Sequence, residues 1–472
     1  MGFCMIKTYL IFALCLMGFA SRLHAEQDLA KLVMQLTHEN QSLKSQLGQS
    51  HARIDELEQQ LKQSVTHSEI TPDPKNAAPV SVSIASQSAV SRHQAVNAPV
   101  TEGDFKGSFK VPDSNTSIGL GGFVKIDSLF SSVGMGRDKF GNQRLEVSEI
   151  PVGPVPAADN DQISFHAKES RFWFRSFTPS QWGDFNSYLE LDFLGDPAAY
   201  TYTPRLRHAY GSLGHFLAGL TWSTFLNSQA LADTLDNNNS AGTLLALRQP
   251  QLRWTQPFSI YSSPMEWLLA LEAPKTRVWD VTRNAMTTVS SSHFPDVVAR
   301  VNLNPDWGNI SLAVMVRQLQ SMPTALTMEK TQWSNAISLA GKINTVGPDN
   351  LRFMLGYGDA LGRYDTNNFF ADAIANATGE FDSLTSYSGM LAYQHWWNQS
   401  WRSSLVYGIA YADQPDTVQT ANQQAQSLHA NLLWSPMSRT TIGLEYIYAN
   451  RELVNNQNGE LQRLQLSTRF NF

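Results

Sequence analysis

Cysteine is nearly missing from this chain: Cys4 and Cys15 are the only two, both inside the first fifteen residues. Disulfides, thiolate metal sites and cysteine nucleophiles are therefore excluded from everything downstream. Charge is scarce as well. Charged residues make up 16% of the 472 residues, against about 25% in an ordinary soluble domain. A net charge of -6 with no dense basic block leaves no footprint for nucleic acid, and 11% aromatic residues exclude a disordered chain. Long hydrophobic runs are absent too. The apolar run from Tyr9 to Ala20 is too short for a spanning helix, which needs about 20 residues. Preceded by Lys7 and followed by the small Ala25, it reads as a secretory signal peptide over residues 1–25, with Ala20 as the alternative cleavage position. An exported, cysteine-free chain is then either a soluble periplasmic protein or an outer-membrane barrel.

What is present falls into three parts. Over residues 26–64, apolar side chains recur at spacings of four and three, in Leu29, Val33, Leu36, Leu43, Leu47, Ile54, Leu57 and Leu61. This narrow heptad seam predicts a coiled coil, with Asn40 at an a position fixing register. Residues 65–117 turn to Ser, Ala, Gln and Asn with Pro72, Pro74, Pro79, Pro99 and Pro112, the composition of a linker.

From Ile118 the period becomes two, with Leu120, Val124 and Ile126 facing one way and Lys125 and Asp127 the other. The alternation recurs to the end, as in Val297, Ala299, Val301 and Leu303, or Leu405, Tyr407, Ile409 and Tyr411. About sixteen such segments fit residues 118–472, the spacing of an antiparallel transmembrane β-barrel. Short turns at 179–184, 213–215, 304–308, 396–400 and 435–439 alternate with long polar loops at 133–162, 226–246, 274–295, 358–383 and 449–459. Such barrels have short periplasmic turns and long outer loops. A soluble propeller is the weaker alternative, because no fixed repeat is found. The alternating last strand ending in Phe472 resembles the terminal strand of bacterial outer-membrane barrels, and an even strand count returns both barrel ends to the periplasm.

Putting the apolar parity outward places the other parity in the lumen, and that face is rich in arginine. Arg171 and Arg175, with Arg205 and Arg207, then Arg253, Arg300, Arg317, Arg352, Arg402, Arg463 and Arg469, point in. Fewer acids accompany them, at Asp127, Glu190, Asp192, Glu266, Glu272 and Glu445. A positive excess in a narrow lumen favours anions, and guanidinium groups hold carboxylates by paired hydrogen bonds. Alternatively the arginines pair with the acids and only fill the barrel. The loop 226–246 carries Asp233 and Asp236; folded inward it would face the arginines across a constriction, folded outward the Asn237-Asn238-Asn239 run would be a solvated tip. The same parity turns Tyr210 and His208 outward.

The stretch Glu169-Ser170-Arg171-Phe172-Trp173-Phe174-Arg175, with Thr178-Pro179, Gly183-Asp184 and Leu189-Glu190-Leu191-Asp192-Phe193, resembles the DcaP-like trimeric outer-membrane porins. Arg205-Leu206-Arg207-His208-Ala209-Tyr210-Gly211 and Thr221-Trp222-Ser223-Thr224-Phe225 add to the likeness. The resemblance implies a sixteen-stranded homotrimer with N-terminal coiled coils in the periplasm, taking up small carboxylates such as dicarboxylic acids. Arg171, Arg175, Arg205 and Arg207 are the positions it implies as pore residues.

The expected function is passive diffusion of small anionic solutes through the outer membrane, with other copies of the chain, lipid and carboxylate solutes as partners and no cofactor. An enzyme is disfavoured: His166, His208, His293, His395 and His429 are scattered, with no G-x-S-x-G elbow beside them. The alternative is a structural protein that tethers the membrane to peptidoglycan through the coiled coil.

Overall fold

The computed structural model describes residues 101–135, 142–156, 159–195, 201–244, 247–289, 292–321, 329–359, 361–366, 368–376 and 381–472. The expected signal peptide, coiled coil and most of the linker lie outside the described residues.

Alternating sequences become alternating strands. The first half of the barrel consists of β1 (Ser117–Val133), β2 (Asn160–His166 and, after a break, Arg171–Thr178), β3 (Phe185–Asp192), β4 (Arg205–Leu213), β5 (Phe216–Trp222), β6 (Arg248–Ile260), β7 (Ser263–Glu272) and β8 (Asp296–Leu303). The second half consists of β9 (Gly308–Gln320), β10 (Thr331–Asn344), β11 (Asn350–Asp359), β12 (Thr385–Trp396), β13 (Trp401–Ala412), β14 (Asn422–Met437), β15 (Thr440–Leu453) and β16 (Asn458–Asn471). The sheet has eighteen hydrogen-bonded segments; Ser108–Lys110 is a short addition to β1 and two segments are the halves of β2, which leaves sixteen staves. All neighbours are antiparallel, and β1 pairs with β16 from Phe123↔Asn471 to Ser131↔Arg463, so the sheet closes and no edge is left.

The two faces differ as the period of two demands. Leu120, Ile163, Phe165, Leu252, Leu312, Leu355, Leu391, Leu405 and Leu466 are exposed on the outer face. Inward, Asp127, Glu190, Asp192, Glu272 and Glu445 are buried. Apolar side chains exposed around a closed barrel, over a polar interior, are the signature of a membrane-spanning sheet. Aromatic rings mark its rims: Trp182, Trp307, Trp397 and Trp434 near the short turns, Tyr357, Tyr387 and Trp333 near the long loops.

Long loops do not simply stand off the rim. Parts of the β1–β2 connection, the β5–β6 connection (hereafter L3) and the β11–β12 connection enter the barrel. Their Leu145, Ile150, Phe225, Leu226, Leu244, Tyr364, Phe369 and Phe370 are buried against small inner residues such as Ala313, Ala336, Ala340, Ala410 and Ala449. Outside the barrel, a second sheet of four strands joins the hairpin Thr276–Asp280 and Ala285–Val289 to Ala373–Ala375 and Phe381–Ser383.

Candidate functional site

The register stacks inner-wall residues in rows. Arg175, Tyr188, Tyr210 and Gly219 are successive cross-strand partners, and Trp173 and Glu190 lie one row nearer the long loops. At the Glu190/Leu191 step β4 carries a bulge at Arg207. A bulged residue reverses the parity that follows it. His208 and Tyr210 therefore face inward rather than outward: His208 Nδ1 lies 3.0 Å from Thr221 Oγ1, and the Tyr210 ring lies 5.7 Å from that of Tyr188.

Of the arginines expected in the pore, several are held by acids. Arg205 pairs with Asp192 through two bonds, Nε to Oδ1 at 2.9 Å and a terminal nitrogen to Oδ2 at 2.7 Å. Arg207 donates to Glu190 at 2.7 Å and to Asp192 at 2.6 Å and is 2% exposed, so it serves the wall rather than the water. Arg171 lies 3.5 Å from Glu190 and donates to Asn237 at 2.6 Å. Arg317 is buried between Asp296 (3.1 Å) and Asp372 (3.0 Å), which clamps the β11–β12 connection to the wall. The arginine cluster on β2 and β4 thus carries its own counter-ions, Glu190 and Asp192.

L3 folds inward. Asn227 donates to Asn309 (2.7 Å) and Ser311 (2.9 Å), the Leu235 N–H to Glu445 (2.8 Å), and the Ala241 N–H to Ser427 (2.8 Å). Asp233 accepts from Arg402 at 2.8 Å and Gln394 at 2.6 Å. Asp236 is 2% exposed, accepts the Leu145 N–H at 2.6 Å, and is pushed up to about 6 by its burial. The Asn237-Asn238-Asn239 run is no solvated tip: its side chains bind Arg171, the Leu145 carbonyl and the Ala232 carbonyl. Expected as a pore acid, Asp236 is instead a buried anchor, and Asp233 is spent on Arg402. The loop's polar contacts start on Gln251 of β6 and Glu272 of β7, run along β8 to β16 and reach Lys125 and Arg171, so among the described residues the wall of β3 to β5 is the side it leaves open.

Toward the rim of short turns the balance changes. Arg175, Arg253, Arg300, Lys342, Arg352, Arg402 and Arg469 share the inner face there, on strands spaced around the barrel. Asp233 and Glu266 stand among them. Arg300 and Arg352 donate to L3 carbonyls, of Thr224 and Leu226 and of Leu231 respectively. Among the described residues no carboxylate lies within ion-pair distance of Arg175 or Arg253. Arg175 sits 4.7 Å from the centre of the Phe105 ring, which covers the inner face of Gly119. Phe105 falls within the stretch that composition assigns to the linker; 101–116 is folded, and no periodic signal in it could have shown this.

The sequence model of the DcaP outer membrane protein family matches residues 106–472. Among solved structures, the outer membrane channel DcaP of Acinetobacter baumannii is 18% identical, with a TM-score of 0.65 over 78% of this chain and 100% of that one. An anion-selective porin from Comamonas acidovorans is 13% identical, TM-score 0.46, over 76% of this chain and 100% of that one. Salmonella typhi OmpF, in a complex with daunomycin, is 8% identical, TM-score 0.49, over 77% and 99%. No curated protein sequence matches the chain.

Proposed function

The chain belongs to the DcaP outer membrane protein family, an outer-membrane porin-like barrel, and from that premise we propose that it conducts small anions, carboxylates and dicarboxylates foremost, by passive diffusion. The observation that carries this reading is the basic inner rim of Arg175, Arg253, Arg300, Lys342, Arg352, Arg402 and Arg469 with few acids among them. A charged ring beside low-dielectric walls raises the local concentration of the opposite ion. Arg402 is held by Asp233, Arg300 and Arg352 by L3 carbonyls and Arg469 by Asn471; Arg175, Arg253 and Lys342 have no such bond among the described residues, so they are the groups that meet the solute. Release follows from weak binding: Arg175 is exposed and Arg253 partly so, and an incoming carboxylate exchanges hydration for hydrogen bonds of similar strength.

Self-association belongs to the same proposal. The strands β3, β4 and β5 have 8, 9 and 7 residues. At about 3.3 Å per residue and about 45° of tilt they cover roughly 16–21 Å, short of the apolar band of about 25 Å. Their outer face, continued onto β2, also carries a row of small residues, Ser176, Ser187, Gly211 and Ala218, with Ser176 and Ser187 hydrogen-bonded at 2.6 Å. A short wall with polar groups is covered better by another copy than by lipid, which supports the homotrimer. The heptad segment, entering on the side of Ser117, would then bundle in the periplasm.

Proteoliposome swelling tests the solute class. Succinate is expected to enter faster than an uncharged solute of equal size, and Arg175→Ala with Arg253→Ala to slow succinate about tenfold. Equal rates for succinate and the neutral solute would reject the proposal.

A further inference from the structure

The open wall of the barrel carries rings as well as charge. Trp173 stacks on Tyr188 with centroids 6.4 Å apart and planes at 25°, and Tyr188 lies 5.7 Å from Tyr210 at 37°. All three face inward and are half-buried, unlike the fully buried Phe225 and Phe370 that serve as filling under the loops. Beyond Tyr210 the same row reaches Gly219, which adds no side chain to the strip and lets the backbone pack closely against Tyr210.

Polar groups flank this strip, and several of them have no partner within the described residues. Asn186 and Ser212 lie one row toward the short turns and face each other across β3 and β4; neither side chain, nor the Tyr210 hydroxyl, hydrogen-bonds within the described residues. Tyr188 donates to Glu190 at 2.7 Å. Arg175 closes the strip at one end, and Arg253, whose Nε has no hydrogen-bond partner, stands in the Asn186–Ser212 row at the other. The ring of Phe105 covers one face of the Arg175 guanidinium at 4.7 Å and holds it in place.

These groups match one kind of solute. Aromatic faces hold a ring by contact with its flat apolar side. Free amide and hydroxyl groups beside them call for hydroxyls on that ring, and the guanidinium groups for one carboxylate. Glu190 in the adjacent row already holds Arg207 and lies by Arg171, which leaves Arg175 and Arg253 to receive that carboxylate. We propose that Trp173, Tyr188 and Tyr210, flanked by Asn186, Ser212, Arg175 and Arg253, form a binding subsite for a hydroxylated ring bearing a single carboxylate, a sugar acid of the hexuronate type. The subsite rests on the anion-channel reading above and narrows its solute class.

The test is block of potassium chloride current through the full-length oligomer in planar bilayers by glucuronate, by open-chain gluconate and by benzoate. All three carry one negative charge. Glucuronate is expected to bind about fivefold or more tightly than either of the others, a difference of the size a single ring contact gives. Tyr210→Ala is expected to abolish that preference and Tyr210→Phe, which keeps the ring, to retain most of it. Equal binding of glucuronate and gluconate would overturn the ring subsite, and tighter binding of benzoate would overturn the hydroxyl contacts. Reversal potential in the same membranes separates these failures from failure of the channel reading, since a cation-selective wild type would sink the latter whatever glucuronate does.

Discussion

At the scale of single residues, burial decides which charges meet solute. Asp236 illustrates the rule. Its carboxyl is pushed up to about 6 by burial, from 3.8 in the unfolded chain. Between those two values the folded protein keeps a proton that the unfolded chain has lost. The contribution of Asp236 to stability is therefore greatest below about pH 4, and is lost as pH rises through about 6, at a cost of up to about 3 kcal/mol. Asp236→Asn is expected to raise the apparent melting temperature at pH 8 and leave it unchanged at pH 3.5; a gain of equal size at both would show that the effect is not ionisation. Composition and parity could show that Asp236 lies beside an arginine-lined wall. They could not show that Leu145, 91 residues away, brings its N–H to that carboxylate. Nor could strict alternation show that the bulge at Arg207 turns His208 and Tyr210 inward, because one extra residue leaves no mark in the composition.

Elements were the most legible level. Strands reveal themselves by alternation because one face meets lipid, and most short and long connections fall where turn-forming and polar stretches predict them; the exception is the long loop expected at 449–459, where β15 and β16 stay paired out to Glu452↔Asn458 and leave only a tight turn. The inward path of L3 was not readable, since it depends on how the wall receives it. Gly408 and Gly242 are that reception: a Cβ on Gly408 would overlap the Ala241 carbonyl, and Gly242, at φ +69°, lies against the Ile409 and Gly389 carbonyls. Gly408→Val is expected to push L3 off the wall and give larger, noisier single-channel currents. Currents identical to wild type would mean that L3 does not narrow the path. The counter-ions Glu190 and Asp192 were visible in sequence as inward acids, yet their capture of Arg205 and Arg207 required the register of β3 against β4.

For the whole molecule, the family and the closed sixteen-strand sheet were both present in the sequence as a resemblance and a period. The short wall of β3, β4 and β5 predicts an oligomer that survives mild detergent and dissociates on heating. Leu189→Asp on its outer face is expected to yield monomer on unheated gels; persistence of the oligomer would place the contact elsewhere. The central claim is that the basic inner rim sets the sign of the conducted ion. Reversal potential across a planar bilayer in a potassium chloride gradient tests it most directly. A potential of the sign given by chloride is expected, diminished by Arg175→Ala with Arg253→Ala. A wild-type potential of the sign given by potassium would contradict it.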